Sequence, residues 1–335
     1  MSAERSASHL SLAIVAAAAA LAAAAPSASA SPTFGVVDLH VDLPFQAQFR
    51  GKSPLDQGQA TTRALLAGHV EGVVLPLFVP ERLGVDPEQL TAVHRAALAL
   101  RARQPFAPLP GEAAPRTQTW LSLEGARTLT GSPRDIAAWV ARGVRVVGVI
   151  HSSDSALGGS ATGNARGGLT PAGAELARAA LEAGALLDAS HASDAAFDDL
   201  LELSRARGVP LLATHSSARA LTPHPRNLDD ERLRALAATG GVVGVNFHAP
   251  YVSRRPGRAT LTDVVAHLEH LVAVAGEDAV AIGSDFDGDM RPPVGLASPA
   301  DFPALARALL AAGWSEARVR KVFSVNARRV LGPPR

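Results

Sequence analysis

Seven side chains carry the chemistry this sequence offers: His40, Asp42, Glu124, His151, His191, His215 and Asp285. The chain has no cysteine. A thiol nucleophile, a disulfide framework, Cys-ligated zinc, an iron–sulfur cluster and a Cys-linked lipid anchor are therefore excluded. Any metal must be held by imidazole and carboxylate. His40 and Asp42 stand two apart, so in an extended chain they point to the same side and can chelate one ion. His191 and His215 supply a second imidazole pair, and Glu124 has two oxygens with which to bridge two ions. Nitrogen and oxygen donors without thiolate suit Zn²⁺, with Mn²⁺ or Co²⁺ as alternatives. Two ions about 3.5–4 Å apart would hold a water between them, lower its pKa and polarise a carbonyl, which is hydrolytic chemistry. Asp285 is then the carboxylate left to take the water's proton.

Each of these residues follows a short apolar run. Strands are expected at Phe34–Leu39, Glu71–Phe78, Thr119–Leu123, Val144–Ile150, Ala185–Ser190, Pro210–Thr214, Gly241–Phe247 and Ala279–Ser284. They are rich in Val, Leu and Ile and do not alternate with polar residues, as befits strands buried on both faces. Helical patterns lie between them at Pro87–Arg103, Ser132–Arg142, Pro171–Glu182, Ser193–Arg207, Asp229–Thr239, Leu261–Ala275 and Phe302–Ala312, several opening on a Ser, Thr or Asp cap. Eight strands alternating with helices predict an α/β fold, a (β/α)8 TIM-like barrel. A doubly wound open sheet is the alternative, weakened because no Gly-rich fingerprint follows the first strand.

In a parallel barrel all strand C-termini converge on one face, where active sites are built. His40 and Asp42 follow the first strand; Glu124, His151, His191 and His215 end the third to sixth; Asp285 ends the eighth. Four of the histidines thus sort to one face, which favours a metal centre over scattered structural imidazoles. His94, His267 and His270 fall within helical patterns and read as core-edge or solvated groups, and His224 and His248 as loop residues near the same face. Asp287 reads equally as a turn residue. By its surroundings alone Arg226 reads as a surface residue flanking a helix, since Asn227-Leu228-Asp229 opens one. Ser216 and Ser217 lack the G-x-S-x-G elbow of a serine nucleophile.

The chain of 335 residues is 47% hydrophobic and 19% charged, enough for a large core and too apolar for disorder. With 32 basic and 31 acidic residues its formal charge is +1, so no basic surplus points to a nucleic-acid partner. Leu10 to Ala25 is an Ala-rich apolar run, ended by Pro26 and followed by the small-x-small pattern Ala28-Ser29-Ala30. A membrane-spanning helix needs roughly 20 strongly apolar residues, so this shorter run predicts a cleaved signal peptide over residues 1–30. A retained anchor is the alternative. Residues 31–335 are then a single barrel domain, exported to the periplasm or secreted, with no stable membrane span after cleavage.

The segments VVDLHVDLP (36–44), SLEG (122–125), LDASHASDAAF (187–197), THSSARALTPHPRNLDDERLRAL (214–236), GGVVGVNF (240–247) and IGSDFDG (282–288) occur in that order, and GWSEARVRKVFSVNARRV (313–330) closes the chain. In these motifs the chain resembles the membrane (renal) dipeptidases, metallopeptidase family M19, among the amidohydrolase-type barrels. The resemblance implies a metallo-dipeptidase with two Zn²⁺ per chain. His40 and Asp42 would be ligands of the first ion, Glu124 the bridge, and His191 and His215 ligands of the second. His151 would contact the substrate carbonyl and the tetrahedral oxyanion, Arg226 the dipeptide's C-terminal carboxylate, and Asp285 the catalytic water. Three departures stand out: Val41 inside the H-x-D motif, a short segment between Asp42 and Glu124, and the lack of the cysteines that form disulfides in animal members. They bear on pocket shape and oligomerisation rather than on the metal centre. The expected partners are a free dipeptide and, as an option the sequence leaves open, a second copy in a homodimer. A related hydrolase of another amide, lactone or β-lactam bond and a non-catalytic binding protein are the competing readings. The complete ligand set with Asp285 argues against the latter.

Overall fold

The computed structural model describes residues 32–334. The expected signal peptide over residues 1–30 lies outside the described residues, and the fold described is that of the second of two units, Thr33–Arg335. Eight parallel strands form this second unit's closed barrel in sequence order: β1 (Val36–Asp38), β2 (Val70–Phe78), β3 (Gln118–Glu124), β4 (Val144–Gly148), β5 (Leu186–Asp188), β6 (Leu211–Ser216), β7 (Val243–Val245) and β8 (Val280–Ile282). Closure is made where Asp38 of β1 pairs with Ile282 of β8. All eight predicted strands are present, several of them trimmed at the ends. The open-sheet alternative is excluded by the closure.

The helices follow from caps and apolar stripes. Between β1 and β2 run α1 (Leu43–Phe49), α2 (Pro54–Gln57) and α3 (Thr62–Ala67), followed by α4 (Pro87–Arg101), α5 (Ile136–Ala141), α6 (Pro171–Glu182), α7 (Asp194–Arg207) and α8 (Asp230–Ala237). Then come α9 (Ala249–Val252), α10 (Leu261–Ala275), α11 (Phe302–Ala311), α12 (Glu316–Arg320) and α13 (Asn326–Leu331). Side chains of Thr170, Ser193 and Asp229 cap α6, α7 and α8 by accepting a hydrogen bond from the third helical N–H. The short helices α1–α3 were not anticipated. At four to seven residues they are below the length that is stable on its own, so packing on the barrel must hold them.

Two apolar layers hold the barrel. The outer one lies between strands and helices and includes Leu121, Leu123, Val147, Leu187, Ala213 and Val245. The inner one fills the lower barrel with Val37, Leu39, Val74, Trp120, Val146, Leu186, Leu212 and Ala281, and α13 closes it with Ala327, Val330 and Leu331. Trp120 Nε1 donates to the carbonyl of Gly332 at 3.0 Å, tying this plug to the wall. Among the described residues no helix is long and apolar enough to cross a membrane.

Candidate metal centre and substrate pocket

Above the apolar plug the inward positions become polar. In β3 the alternation Trp120, Ser122, Glu124 carries one face from the plug to the site, and Glu124 is the strand's last residue. Gly125 follows with φ +74°, and a Cβ there would lie 2.8 Å from His151 Cβ. Only glycine lets β3 turn away while His151 packs beside Glu124.

His40 and Asp42 stand beyond the end of β1 rather than on it. They still share a side because Val41 between them makes a parallel bridge to Phe286, so the chain remains extended there. His40 Nε2 lies 3.6 Å from Asp42 Oδ2 and 3.3 Å from Glu124 Oε1. On the opposite wall, His191 Nε2 is 3.0 Å and His215 Nε2 3.6 Å from the same Glu124 oxygen, and the two Nε2 atoms are 2.9 Å apart. His215 arrives there through an irregularity in β6: Ala213 pairs with Val243 but Ser216 with Val245, so three steps on one strand match two on the other. Such a bulge re-aims a side chain.

His151 completes the ring of imidazoles, with Nε2 3.7 Å from Glu124 Oε1 and Nδ1 2.5 Å from Glu81 Oε1. Asp285 has φ +67°, accepts from Asn246 Nδ2 at 3.0 Å, and donates its backbone N–H to the carbonyl of His40. Gly288 lies against it, where a Cβ would come within 2.4 Å of Asp285 Oδ1 and 2.7 Å of Asp42 Oδ2.

The electrostatics are those of a cation site. Burial opposes ionisation of Glu124, yet the charge of His40 and His151 and hydrogen bonds from His191 and His40 outweigh it, holding this carboxyl well below its usual range. Burial raises Asp42 well above its usual range; His40 opposes that, while Glu124 and Asp285 add to it. Burial likewise brings Asp285 up to about 6, against the pull of His40. Burial, reinforced by the charge of Arg226, keeps His191 and His215 neutral, so each offers a lone pair. His40 Nε2 and Asp42 Oδ1 are buried without a hydrogen-bond partner. Against burial, Glu124 and Asp42 draw His40 up to about 10. Two buried carboxylates, Asp42 and Glu124, with the half-buried Asp285 beside them, outnumber the positive charge around them and are costly to hold there unless cations lie among them. The groups His40–Glu124–His215, Glu124–His151–His191 and His40–Asp42–Asp285 each bring donor atoms within 4.8 Å of one another. The donor set therefore fits bound metal.

A cavity of about 170 Å³ opens over these groups, walled by Phe45, Phe78 and Tyr251 and edged by Ser152 and Asp289. Arg226 lies in its floor, only 3% exposed, which overturns the surface-arginine reading. Its Nη2 is 3.2 Å from His191 Nε2 and donates to the carbonyl of His215 at 3.4 Å, while Nε and Nη1 are buried with no partner. The loop carrying it is braced by Asn227, whose Nδ2 donates to the carbonyls of Thr222 and Tyr251. Arg219 adds a bidentate pair with Asp194.

Seven of the eight predicted site residues thus line one pocket, and the eighth, His40, lies against Glu124 just beneath it. The second-tier residues are structural. Asp287 accepts the backbone N–H groups of Gln59 and Ala60, so it is a turn-bracing residue. His224 and His248 each accept a backbone N–H through Nδ1, and His267, far from solvated, is buried and accepts from Ala218. Sequence reasoning missed Glu81, Phe45, Phe78 and Tyr251. Only Tyr251 carried a signal, as the chain's single tyrosine.

Residues 29–333 match the family model of the membrane dipeptidases, peptidase family M19. An uncharacterised protein encoded in the pqqA 5′ region of Klebsiella pneumoniae is 38% identical over 218 residues, 62% of this chain and 79% of that one. The chain spans about half the length of two fungal relatives that it also matches, 49% and 51%. Among solved structures, the M19 metallopeptidase dipeptidase AC superposes with a TM-score of 0.78 at 27% identity, covering 90% of this chain and 99% of the other. A metallopeptidase from Rhodobacter sphaeroides, liganded with a phosphinate mimic of the dipeptide L-Ala-D-Ala, gives 0.77 at 26% identity, covering 91% and 100%.

Proposed function

The chain belongs to the membrane dipeptidase family, peptidase family M19, and from that premise we propose that it is a zinc-dependent hydrolase of free dipeptides, working with two ions. The observation that carries this reading is Arg226, a buried guanidinium with two unpartnered nitrogens beside the imidazole cluster. A buried fork of this kind suits a carboxylate through two parallel hydrogen bonds, which measures the substrate's length as well as its charge. A dipeptide carries such a group one residue beyond its scissile bond.

His40 and Asp42 with Glu124 would hold one ion and Glu124 with His191 and His215 the other; when bound, the pair would acidify a water and polarise the scissile carbonyl. Arg226 fixes the C-terminal carboxylate and so places that carbonyl. His151, its Nδ1 engaged by Glu81, presents Nε2 as donor to the carbonyl oxygen as negative charge develops there. Asp285, steadied by Asn246, takes the proton of the attacking water and returns it to the leaving amine as the C–N bond breaks. The aromatic walls Phe45, Phe78 and Tyr251 exclude water from the reacting groups.

Zinc-loaded protein should hydrolyse L-L and L-D dipeptides and contain about two zinc equivalents. Dipeptide amides, which lack the carboxylate, should be poor substrates. Rapid hydrolysis of dipeptide amides with no preference for free dipeptides would instead favour a general amidase. We further propose that the chain is exported after cleavage of residues 1–30. The native protein should begin near Ser31, and an intact mass starting at Met1 would refute cleavage.

A further inference from the structure

Beneath the metal centre lies a polar layer that the reaction does not use. Asp188, the last residue of β5, receives Thr214 N–H at 2.9 Å, Ser190 N–H at 3.0 Å and the Ser190 hydroxyl at 2.6 Å on Oδ1, and the Thr214 hydroxyl at 2.5 Å on Oδ2. Ser190 Oγ in turn accepts the backbone N–H of His215 at 3.1 Å. Asp188 takes these four donors on its two oxygens and acts as acceptor throughout, so the single proton of the Thr214 hydroxyl goes to it. Both lone pairs of Thr214 Oγ1 remain. They face His215 Nδ1 at 2.9 Å and His40 Nδ1 at 3.4 Å. The His40 and His215 rings stack with centroids 3.8 Å apart, and both Nε2 atoms face Glu124.

We propose that Thr214 is a positioning residue shared by both metal ions: its hydroxyl, oriented by Asp188, holds one histidine of each ion's ligand set in the Nδ1–H tautomer, leaving both Nε2 lone pairs for metal. One hydroxyl has one proton to give and two lone pairs to offer, and here it meets one carboxylate and two imidazole nitrogens. The Ser190 hydroxyl also lies 3.1 Å from Thr214 Oγ1, but it gives its own proton to Asp188 Oδ1 at 2.6 Å and so claims neither lone pair. The hydrogen bond on the far nitrogen of a ligating histidine sets its tautomer and ring orientation. Thr214 follows Leu212 to the barrel interior, and the irregularity in β6 turns its neighbour His215 to the same network. The inference rests on the two-ion reading above, since His40 and His215 belong there to different ions.

The test has two arms. In the first, ¹⁵N-histidine-labelled wild-type protein is examined by long-range ¹H–¹⁵N correlation, metal-free and zinc-loaded. His40 and His215 should both carry the proton on Nδ1 in the two states; an Nδ1 without a proton at either residue in the zinc-loaded protein overturns the proposal. The second arm titrates zinc against a chromophoric chelator with Thr214→Val, Thr214→Ser and Asp188→Asn. The valine variant keeps shape and loses the hydroxyl, and should bind both ions about 10–100-fold more weakly. The serine variant should restore affinity to within a few-fold, and Asp188→Asn should weaken both ions in the same direction. Wild-type affinity in Thr214→Val, or loss at one ion only, overturns the shared role. Should Thr214→Val fail to fold, the tautomers of the wild type decide. Failure of wild-type protein to take up two ions would instead strike the two-ion reading, which separates the two ideas.

Discussion

The two ends of the barrel interior are built on the same strands and could hardly differ more. At the lower end Trp120, Val146, Leu186 and Leu212 interlock with Val330 and Leu331 of α13 in an apolar cluster. A few residues further along these strands stand Glu124, Asp188, Thr214 and His215, with His151 and His191 beyond the strand ends. The lower end stabilises by removing apolar surface from water. The upper end costs stability, because buried carboxylates and imidazoles must be desolvated and held in place. One end can therefore be optimised for packing while the other carries chemistry, which is why conserving the fold and conserving the reaction make separate demands on the sequence.

The sharpest way to break this division is at the upper end. Glu124→Gln should lower kcat/KM on the order of 10³-fold or more and reduce metal content, because an amide cannot bridge two cations as a carboxylate does. Chemical denaturation of the metal-free protein should show little loss of stability, since a buried charge has been removed. The mirror experiment is Trp120→Ala. Deleting a buried indole costs about 3–5 kcal/mol of folding stability, read as a fall in denaturation midpoint, while kcat/KM per folded molecule stays close to wild type. If the Trp120 variant instead lost its bound metal, the two ends would not be independent.

Arg226 sharpens the contrast within the upper end, between the proposed metal ligands and the proposed partner of the substrate carboxylate. Truncating one partner of a buried charged pair costs roughly 2–5 kcal/mol, so Arg226→Ala should reduce kcat/KM for free dipeptides about 30-fold to several thousand-fold. Metal content should not change, and Arg226→Lys should recover only part, because an ammonium is a point charge and not a fork. Equal activity in mutant and wild type would remove the carboxylate-binding role. The smallest expected effect is that of Glu81→Gln, which leaves His151 in place but without its carboxylate partner. A loss of about 10–100-fold in kcat, by analogy with other partners of functional imidazoles, with unchanged metal content is expected; unchanged kcat would make Glu81 a surface residue only.

Much of this is legible in the amino-acid sequence. The eight apolar runs marked the strands because a parallel barrel buries both faces of each strand. The polar residues closing them marked the active face. Asp42, Glu124 and Asp285, with four histidines and no cysteine, limited the ions and the chemistry. Other parts were not legible. Arg226 alone read as a surface residue, because burial of a loop side chain depends on which loops fold over it. Glu81 gave no signal either, since its partner His151 is 70 residues away.

The sequence by itself determined the strand order, the donor types and the face on which they gather, because these follow from local periodicity and side-chain chemistry. Tertiary structure alone decided the aim of the donors. Glu124 stays in phase with Trp120 and Ser122, but His215 does not stay in phase with Leu212 and Thr214, nor His40 with Val37 and Leu39. The β6 irregularity and the bridge from Val41 to Phe286 turn these two histidines inward. A two-residue period fixes the side on which a side chain lies only while pairing continues. Where pairing slips or ends, direction is set by contacts with residues distant in the chain, and no local pattern records them.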